Sequence, residues 1–130
     1  MLIIDSSVWI EELRSGGGEF PAFGDLKAAS ADQFAVTEPI LMEVLAGARR
    51  FELVRSRLNA LPLRGVEASS DYDTAATLFR AARASGKTVR SLNDCLIAAV
   101  ALRLCDTVVH RNADFEVLAA MTDLTTLDLR

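Results

Sequence analysis

The stretch LIIDSSVWI, residues 2–10, indicates the fold class, because an apolar run ends in a carboxylate and an apolar pattern then resumes. The run LII predicts a short strand that is buried on both faces. The residues after Asp5 predict a helix over 6–14, with Val8, Trp9, Ile10 and Leu13 directed inward. A strand that passes directly into a helix is the first half of a parallel α/β unit.

The rest of the chain repeats this alternation of strands and helices. Further strands are predicted at 33–37, 63–67, 107–110 and 125–129, and helices at 23–29, 37–47, 51–61, 71–85, 91–104 and 115–121. Three glycines at 16–18 are expected to end the first helix in a loop. Apolar strands that alternate with helices predict an α/β fold with a central parallel sheet covered by helices on both faces. The length predicts one domain over residues 1–130.

Composition excludes several classes of protein. No apolar run approaches the roughly 20 residues that span a bilayer, and the N-terminus lacks the pattern of a signal peptide, so a cytoplasmic location is expected. Cys95 and Cys105 would lie about 15 Å apart along one helix, too far for a disulfide, and both are expected to be reduced core thiols. The chain has a net charge of −4, whereas most nucleic-acid binders have an excess of basic residues. Twelve of its fourteen cationic residues are nevertheless arginine.

Two acidic residues follow predicted strands, at the edge where ligand sites of parallel sheets lie. Asp5 ends the first strand, and Asp114 follows the strand at 107–110 by four residues. Each could equally cap the helix after it, since aspartate is a favoured N-cap residue. Position alone leaves both interpretations open.

Two further acidic residues lie on apolar faces of predicted helices. The neighbours of Glu43 three and four residues away are apolar or small, so its carboxylate needs a partner from another element. Asp94 shares a face with Ile97 and Ala98, although Ser91 and Asp94 also have the spacing of a capping box. Four carboxylates that converge would repel one another unless a cation lay between them. Oxygen ligands without histidine or cysteine favour Mg²⁺ or Mn²⁺, whose bound water can attack a phosphodiester.

Four motifs together resemble the PIN-domain family, and within it the VapC-type toxins of bacterial toxin–antitoxin modules. They are LIIDSSVWI, TEPILMEVLAGARR, VRSLNDCLIAAVAL and VVHRNADFEVL, in this order along the chain. The resemblance implies an α/β/α sandwich and an Mg²⁺- or Mn²⁺-dependent endoribonuclease that inhibits translation or growth. It also implies a homodimer, and a small antitoxin protein that blocks the acidic groove.

The resemblance assigns the catalytic and metal-binding roles to Asp5, Glu43, Asp94 and Asp114. It places the supporting polar residues at Ser6 or Ser7 and at Asn112, whereas His110 stands where many relatives have threonine. RNA contacts are expected from arginines near these motifs, namely Arg49, Arg50, Arg90 and Arg111.

The predicted reaction is hydrolysis of an RNA phosphodiester by a metal-activated water, which leaves a 5′-phosphate and a 3′-hydroxyl. A receiver domain is disfavoured because Ser6, not a second acid, follows Asp5. A dehalogenase-like phosphatase is disfavoured because Ser7 stands in place of the second aspartate of its motif. The alternative that stays open is a catalytically inactive PIN-like module that binds a protein partner.

Overall fold

A parallel sheet of four strands forms the centre of the computed structural model, which describes residues 1–15 and 20–130. The strands are β1 (Leu2–Ile4), β2 (Phe34–Ala35), β3 (Thr107–His110) and β4 (Thr125–Asp128), in the spatial order β2-β1-β3-β4. Leu2 pairs with Phe34 on one side and with Thr107 on the other. The N-terminal strand is therefore central, and Asp5 leaves the sheet at the middle of its carboxyl edge.

Seven α-helices connect and cover these strands in the described part of the chain. They are α1 (Ser6–Arg14), α2 (Pro21–Ser30), α3 (Glu38–Gly47), α4 (Phe51–Asn59), α5 (Ala68–Ala84), α6 (Leu92–Leu104) and α7 (Ala113–Met121). Gly86 follows α5 with φ = 75°, the left-handed conformation that glycine adopts without cost at a helix C-terminus. The predicted α/β fold, with helices on both faces of a parallel sheet, is confirmed.

The sheet separates two apolar cores. Ile3 and Val108 project into the larger core with residues of α3, α5, α6 and α7, whereas Ile4 and Val109 project into a smaller core. Successive strand residues face opposite sides of a sheet, so the run LII must be apolar throughout. Phe23 on α2 lies in the smaller core, where its ring stacks on Phe34 at 5.6 Å.

Several sequence expectations were wrong. Ile10 and Leu13 of α1 are each 41% exposed instead of directed inward. Cys105 is exposed, while Cys95 is buried as expected, and both thiols are free. The strand predicted at 63–67 is reduced to a single bridge between Val36 and Leu63. The predicted loop at 16–18 lies outside the described residues.

Among the described helices, none is long and apolar enough to cross a membrane.

Candidate functional site

A cleft of about 340 Å³ opens at the carboxyl edge of the sheet, between the starts of α1, α6 and α7 and the middle of α3. All four acidic residues singled out in the sequence line it. They come from four different elements: Asp5 from the end of β1, Glu43 from α3, Asp94 from α6 and Asp114 from α7. The parallel topology therefore brings together residues that are up to 109 positions apart.

Asp5 uses its two carboxylate oxygens differently. Its Oδ2 atom accepts hydrogen bonds from the Ser7 backbone N–H (3.0 Å) and the Ser7 hydroxyl (2.5 Å), so the residue caps α1. Its Oδ1 atom is buried and has no hydrogen-bond partner among the described residues. Burial raises the pKa of this carboxyl, and the bonds from Ser7 only partly offset the rise. The helix-cap and ligand interpretations are thus compatible, since each concerns a different oxygen.

The neighbours of Glu43 on α3 are apolar or small, and its hydrogen-bonding partner comes from another element. The Asn93 side-chain amide donates to its Oε1 atom at 2.7 Å, and the Ser6 hydroxyl lies beside the same carboxylate. Partial burial raises the pKa of Glu43, and the nearby Asp5 carboxylate raises it further. Neither hydrogen-bonding partner carries a positive charge, and no cation among the described residues pairs with this carboxylate.

Asp94 lies in the first turn of α6 with only 5% of its surface exposed. Ser91 does cap this helix, by accepting the Asn93 N–H at 3.1 Å. The Asp94 carboxylate, however, accepts from the Asn112 side-chain amide at 2.9 Å, not from the Ser91 backbone as a capping box requires. Burial raises the pKa of Asp94 to about 7, with contributions from the charges of Asp5, Glu43 and Asp114.

Three of the four carboxylates form a compact group. Asp5, Glu43 and Asp94 each offer one oxygen, and these atoms lie within 4.8 Å of one another. Asp114 lines the cleft outside this group, and its Oδ2 atom accepts the Arg90 backbone N–H at 3.0 Å. Two ligands on opposite sides of one Mg²⁺ ion are about 4.2 Å apart. The three oxygens therefore fit a shared small divalent cation after minor adjustment.

Uncharged polar residues connect this group to the backbone. The Ser7 hydroxyl bonds both Asp5 and the Arg111 backbone N–H, which ties α1 to the end of β3. Asn112 caps α7 through its Oδ1 atom while its Nδ2 atom donates to Asp94. Sequence reasoning named Ser6 and Asn112 but missed Asn93, whose only signal was its place beside Asp94 in the motif SLNDCL.

The arginines proposed for RNA contact lie in different environments. Arg90 lines the cleft, and Arg49 and Arg50 are exposed between α3 and α4. Arg111 instead pairs with Glu11 at 3.1 Å and lies over the Phe20 ring at 5.0 Å. Of these four residues, only Arg90 lines the cleft, and its backbone N–H contacts Asp114.

Comparison with known proteins gives a consistent result. The sequence profile of the PIN domain matches residues 2–121. The chain is 41% identical to ribonuclease VapC11 of Mycobacterium tuberculosis and to VapC ribonuclease Mb1587 of Mycobacterium bovis, in alignments of 134 residues that cover all of both chains.

The fold matches solved structures at lower identity. One is the crystal structure of DNA-bound VapBC from Salmonella typhimurium, with a TM-score of 0.75 and 16% identity, covering 99% of this chain and 98% of that one. Another is FitAcB from Neisseria gonorrhoeae, with a TM-score of 0.74 and 19% identity, covering 99% and 98%. A toxin–antitoxin complex from Klebsiella pneumoniae matches with a TM-score of 0.75 and 20% identity, covering 100% and 98%. These likenesses show the shared fold.

Proposed function

The chain belongs to the PIN domain family, and from its site we propose a metal-dependent endoribonuclease that acts as the toxin of a toxin–antitoxin module. One observation carries this proposal. The Asp5 Oδ1 atom is buried, lacks a hydrogen-bond partner among the described residues, and lies in the group formed with Glu43 and Asp94. A buried carboxylate oxygen without a donor is costly unless a cation binds it.

The chemistry of the donor set favours Mg²⁺ or Mn²⁺. The group offers carboxylate oxygens only, which suits hard divalent ions. Asp5, Glu43 and Asp94 would hold the ion, and Asp114, which lines the same cleft and whose charge acts on Asp94, is the proposed fourth acid of the site. When bound, such an ion supplies a nucleophilic water at neutral pH and neutralises charge on the scissile phosphate.

Polar side chains of the protein itself position the acidic residues. Asn93 and Asn112 hold Glu43 and Asp94 by donating to one oxygen of each carboxylate. Asp94, with a pKa near 7, can exchange a proton near neutral pH when the ion is absent. Because water is the nucleophile, the products would carry 5′-phosphate and 3′-hydroxyl ends, and 2′,3′-cyclic phosphate ends would contradict this mechanism.

RNA is the proposed substrate, although the chain carries a net charge of −4. Arg90 lines the cleft, and Arg49 and Arg50 are exposed after α3, the helix that carries Glu43, so these three are the proposed phosphate contacts. Few cationic contacts predict weak general affinity, so selectivity would come from RNA shape and from unpaired bases.

The proposed partner is a small antitoxin protein that blocks the cleft. The solved toxin–antitoxin complexes share this fold, and the uncompensated carboxylates would attract a cationic side chain from such a partner. We also propose a homodimer and a cytoplasmic location, where cellular RNA is available. Light scattering on the purified protein tests the dimer.

RNA cleavage tests the proposed function directly. Purified protein freed of any partner is incubated with total bacterial RNA and Mg²⁺, Mn²⁺ or EDTA, beside Asp5→Asn and, as a matched control, Asp71→Asn. The proposal predicts a few discrete fragments that require metal and Asp5 and that persist with Asp71→Asn. Absence of cleavage by folded wild-type protein with either metal would favour a PIN-like module that only binds a partner.

A further inference from the structure

A second group of polar side chains lies behind the cleft, on β3, α7 and β4. His110, Glu116 and Asp128 each offer one atom within 4.8 Å of the others, which is a spacing that could suit a metal. His110 is fully buried, whereas Glu116 and Asp128 reach the surface. None of the three lines the cleft that holds the acidic residues.

The hydrogen bonds of His110 argue against a metal at this group. The Asn112 backbone N–H donates to the His110 Nδ1 atom at 3.0 Å, so Nδ1 carries no proton. The proton of the neutral ring is then on Nε2, where it is donated to Glu116 Oε1 at 2.8 Å. A metal on Nε2 would need the proton on Nδ1, in conflict with the Asn112 N–H. Asp128 is moreover paired with Arg130.

We propose that His110 is a positioning residue for the active site, because its Nδ1 atom holds the Asn112 backbone N–H and thereby orients the Asn112 side chain toward Asp94. This inference rests on the proposed function. The Asn112 amide group donates to Asp94 Oδ2 at 2.9 Å, and its oxygen caps the helix that carries Asp114. Two of the four acidic residues thus depend on one asparagine, and that asparagine depends on His110.

Besides the Asn112 N–H at Nδ1, two further residues hold the ring of His110. Phe115 packs against it with ring centroids 5.2 Å apart. Glu116, which accepts its Nε2 proton, also accepts the Thr126 hydroxyl at 2.7 Å. A rigid acceptor behind Asn112 would lower the freedom of the Asp94 carboxylate, as outer partners of metal ligands do.

Two amide substitutions separate the two ends of the ring. In His110→Asn the side-chain oxygen lies as many bonds from the backbone as Nδ1, so it can still accept from Asn112. In His110→Gln the terminal amide lies as far out as Nε2, so the bond to Glu116 can form while the acceptor for Asn112 is lost. Both replace the ring by an amide, and each is a control for the other.

The decisive readout is the dissociation constant for Mn²⁺ alone, measured by electron paramagnetic resonance below the lowest melting temperature of the three proteins. Loss of an outer partner of a metal ligand weakens binding by roughly 10–100-fold. Because His110 acts on Asp94 only through Asn112, we expect His110→Gln to weaken binding by about 10-fold, the lower end of that range, and His110→Asn to keep the affinity of wild type. Equal affinities of the two variants, or weaker binding by His110→Asn, would overturn the proposal.

A spectroscopic measurement needs no variant. His110 is the only histidine in the sequence, so its two ring nitrogens can be identified in the ¹⁵N spectrum of the wild-type protein. The proposal requires the proton on Nε2, and a proton on Nδ1 would refute it. If wild-type protein binds Mn²⁺ but cleaves no RNA, the ribonuclease proposal fails while these two readouts still judge His110.

Discussion

Asp94 and Asp71 are both buried aspartates in the first turn of a helix, and their surroundings are opposite. Asp71, on α5, accepts from the Arg103 guanidinium at 2.8 and 3.0 Å and from the Glu67 backbone N–H at 2.7 Å. These bonds hold the pKa of Asp71 below its usual range. Asp94 instead faces other carboxylates, and burial raises its pKa to about 7.

The two carboxylates therefore have opposite effects on the stability of the metal-free protein. Asp71 has its cation in the chain and stabilises the packing of α5 against α6. Asp94 lacks a cation among the described residues, so its charge is a cost to the metal-free protein. A fold retains such a group when a ligand from outside supplies the missing charge.

The largest expected effect is on RNA cleavage, which should depend on Asp94 but not on Asp71. Asp94→Asn should reduce RNA cleavage by about 1000-fold or more, because several kcal/mol of metal-dependent stabilisation would be lost. Asp71→Asn should retain wild-type cleavage under conditions where it is folded, since Asp71 lies outside the cleft. Initial rates at saturating Mg²⁺ measure both, and equal losses in the two variants would contradict the contrast.

The next largest effect is on the free energy of unfolding. It should fall when Asp71 loses its arginine partner and rise when Asp94 loses its charge. Arg103→Met would leave the buried Asp71 carboxylate without its cation, at a cost of about 2 kcal/mol, less than for a fully buried pair because Arg103 is 28% exposed. Asp94→Asn should stabilise the metal-free protein by about 1 kcal/mol, since it removes repulsion from the group. Urea unfolding in EDTA measures both, and a less stable Asp94→Asn would instead favour a structural role for that carboxylate.

The stability of the metal-free protein should depend on pH in opposite directions at Asp94 and Asp71. The folded protein binds a proton at Asp94 up to about pH 7, whereas an unfolded aspartate releases it near 3.8. Stability from this group is therefore full below about pH 3.8 and is lost as the pH rises to 7, with a slope of at most about 1.4 kcal/mol per pH unit. Asp71 contributes stability that is lost only as the pH falls below its ordinary value.

Melting temperatures in EDTA between pH 5 and 8 measure this slope. Wild-type protein should become more stable as the pH falls over this range, and Asp94→Asn should show a flatter profile. The titrations of Asp5, Glu43 and Asp94 are coupled, so the profile belongs to the group as a whole. A wild-type profile that instead falls with decreasing pH would contradict the raised pKa values.

The smallest effect is expected at the rim of the cleft. Arg90→Gln should raise the KM for RNA by about 3- to 10-fold, with little change in kcat, because it removes one phosphate contact. The effect should shrink as the salt concentration rises. Arg55→Gln on α4, whose guanidinium lies over the Phe51 ring away from the cleft, is the matched control. A change confined to kcat would place Arg90 at the reacting phosphate.

The sequence was informative where one element carries the signal. Helix α1 begins and ends at the predicted residues, because Asp5 caps it and the apolar pattern is local. The convergence of the four acidic residues followed from a general property of parallel sheets. Asn93 could not be foreseen, because its partner Glu43 is 50 positions away on another helix.

Periodicity also misled at α1. Ile10 and Leu13 share an apolar stripe with buried residues, yet Ile10 borders the acidic cleft and both are 41% exposed. A stripe of apolar residues indicates which face of a helix avoids water, but the number of elements available to cover that face depends on the tertiary structure. The spacing of Ser91 and Asp94 left a capping box open as the alternative, and the Asp94 carboxylate accepts from the Asn112 amide instead.

Titration of Mn²⁺ into the metal-free protein at pH 8, followed by calorimetry, tests whether Asp5 and Asp94 bind one shared cation. Wild type, Asp5→Asn, Asp94→Asn and Asp71→Asn are measured side by side. Wild type and Asp71→Asn should bind Mn²⁺ with the same affinity. Asp5→Asn and Asp94→Asn should each bind it at least about 10-fold more weakly. Unchanged Mn²⁺ affinity in Asp5→Asn and Asp94→Asn would show that these carboxylates do not share a cation.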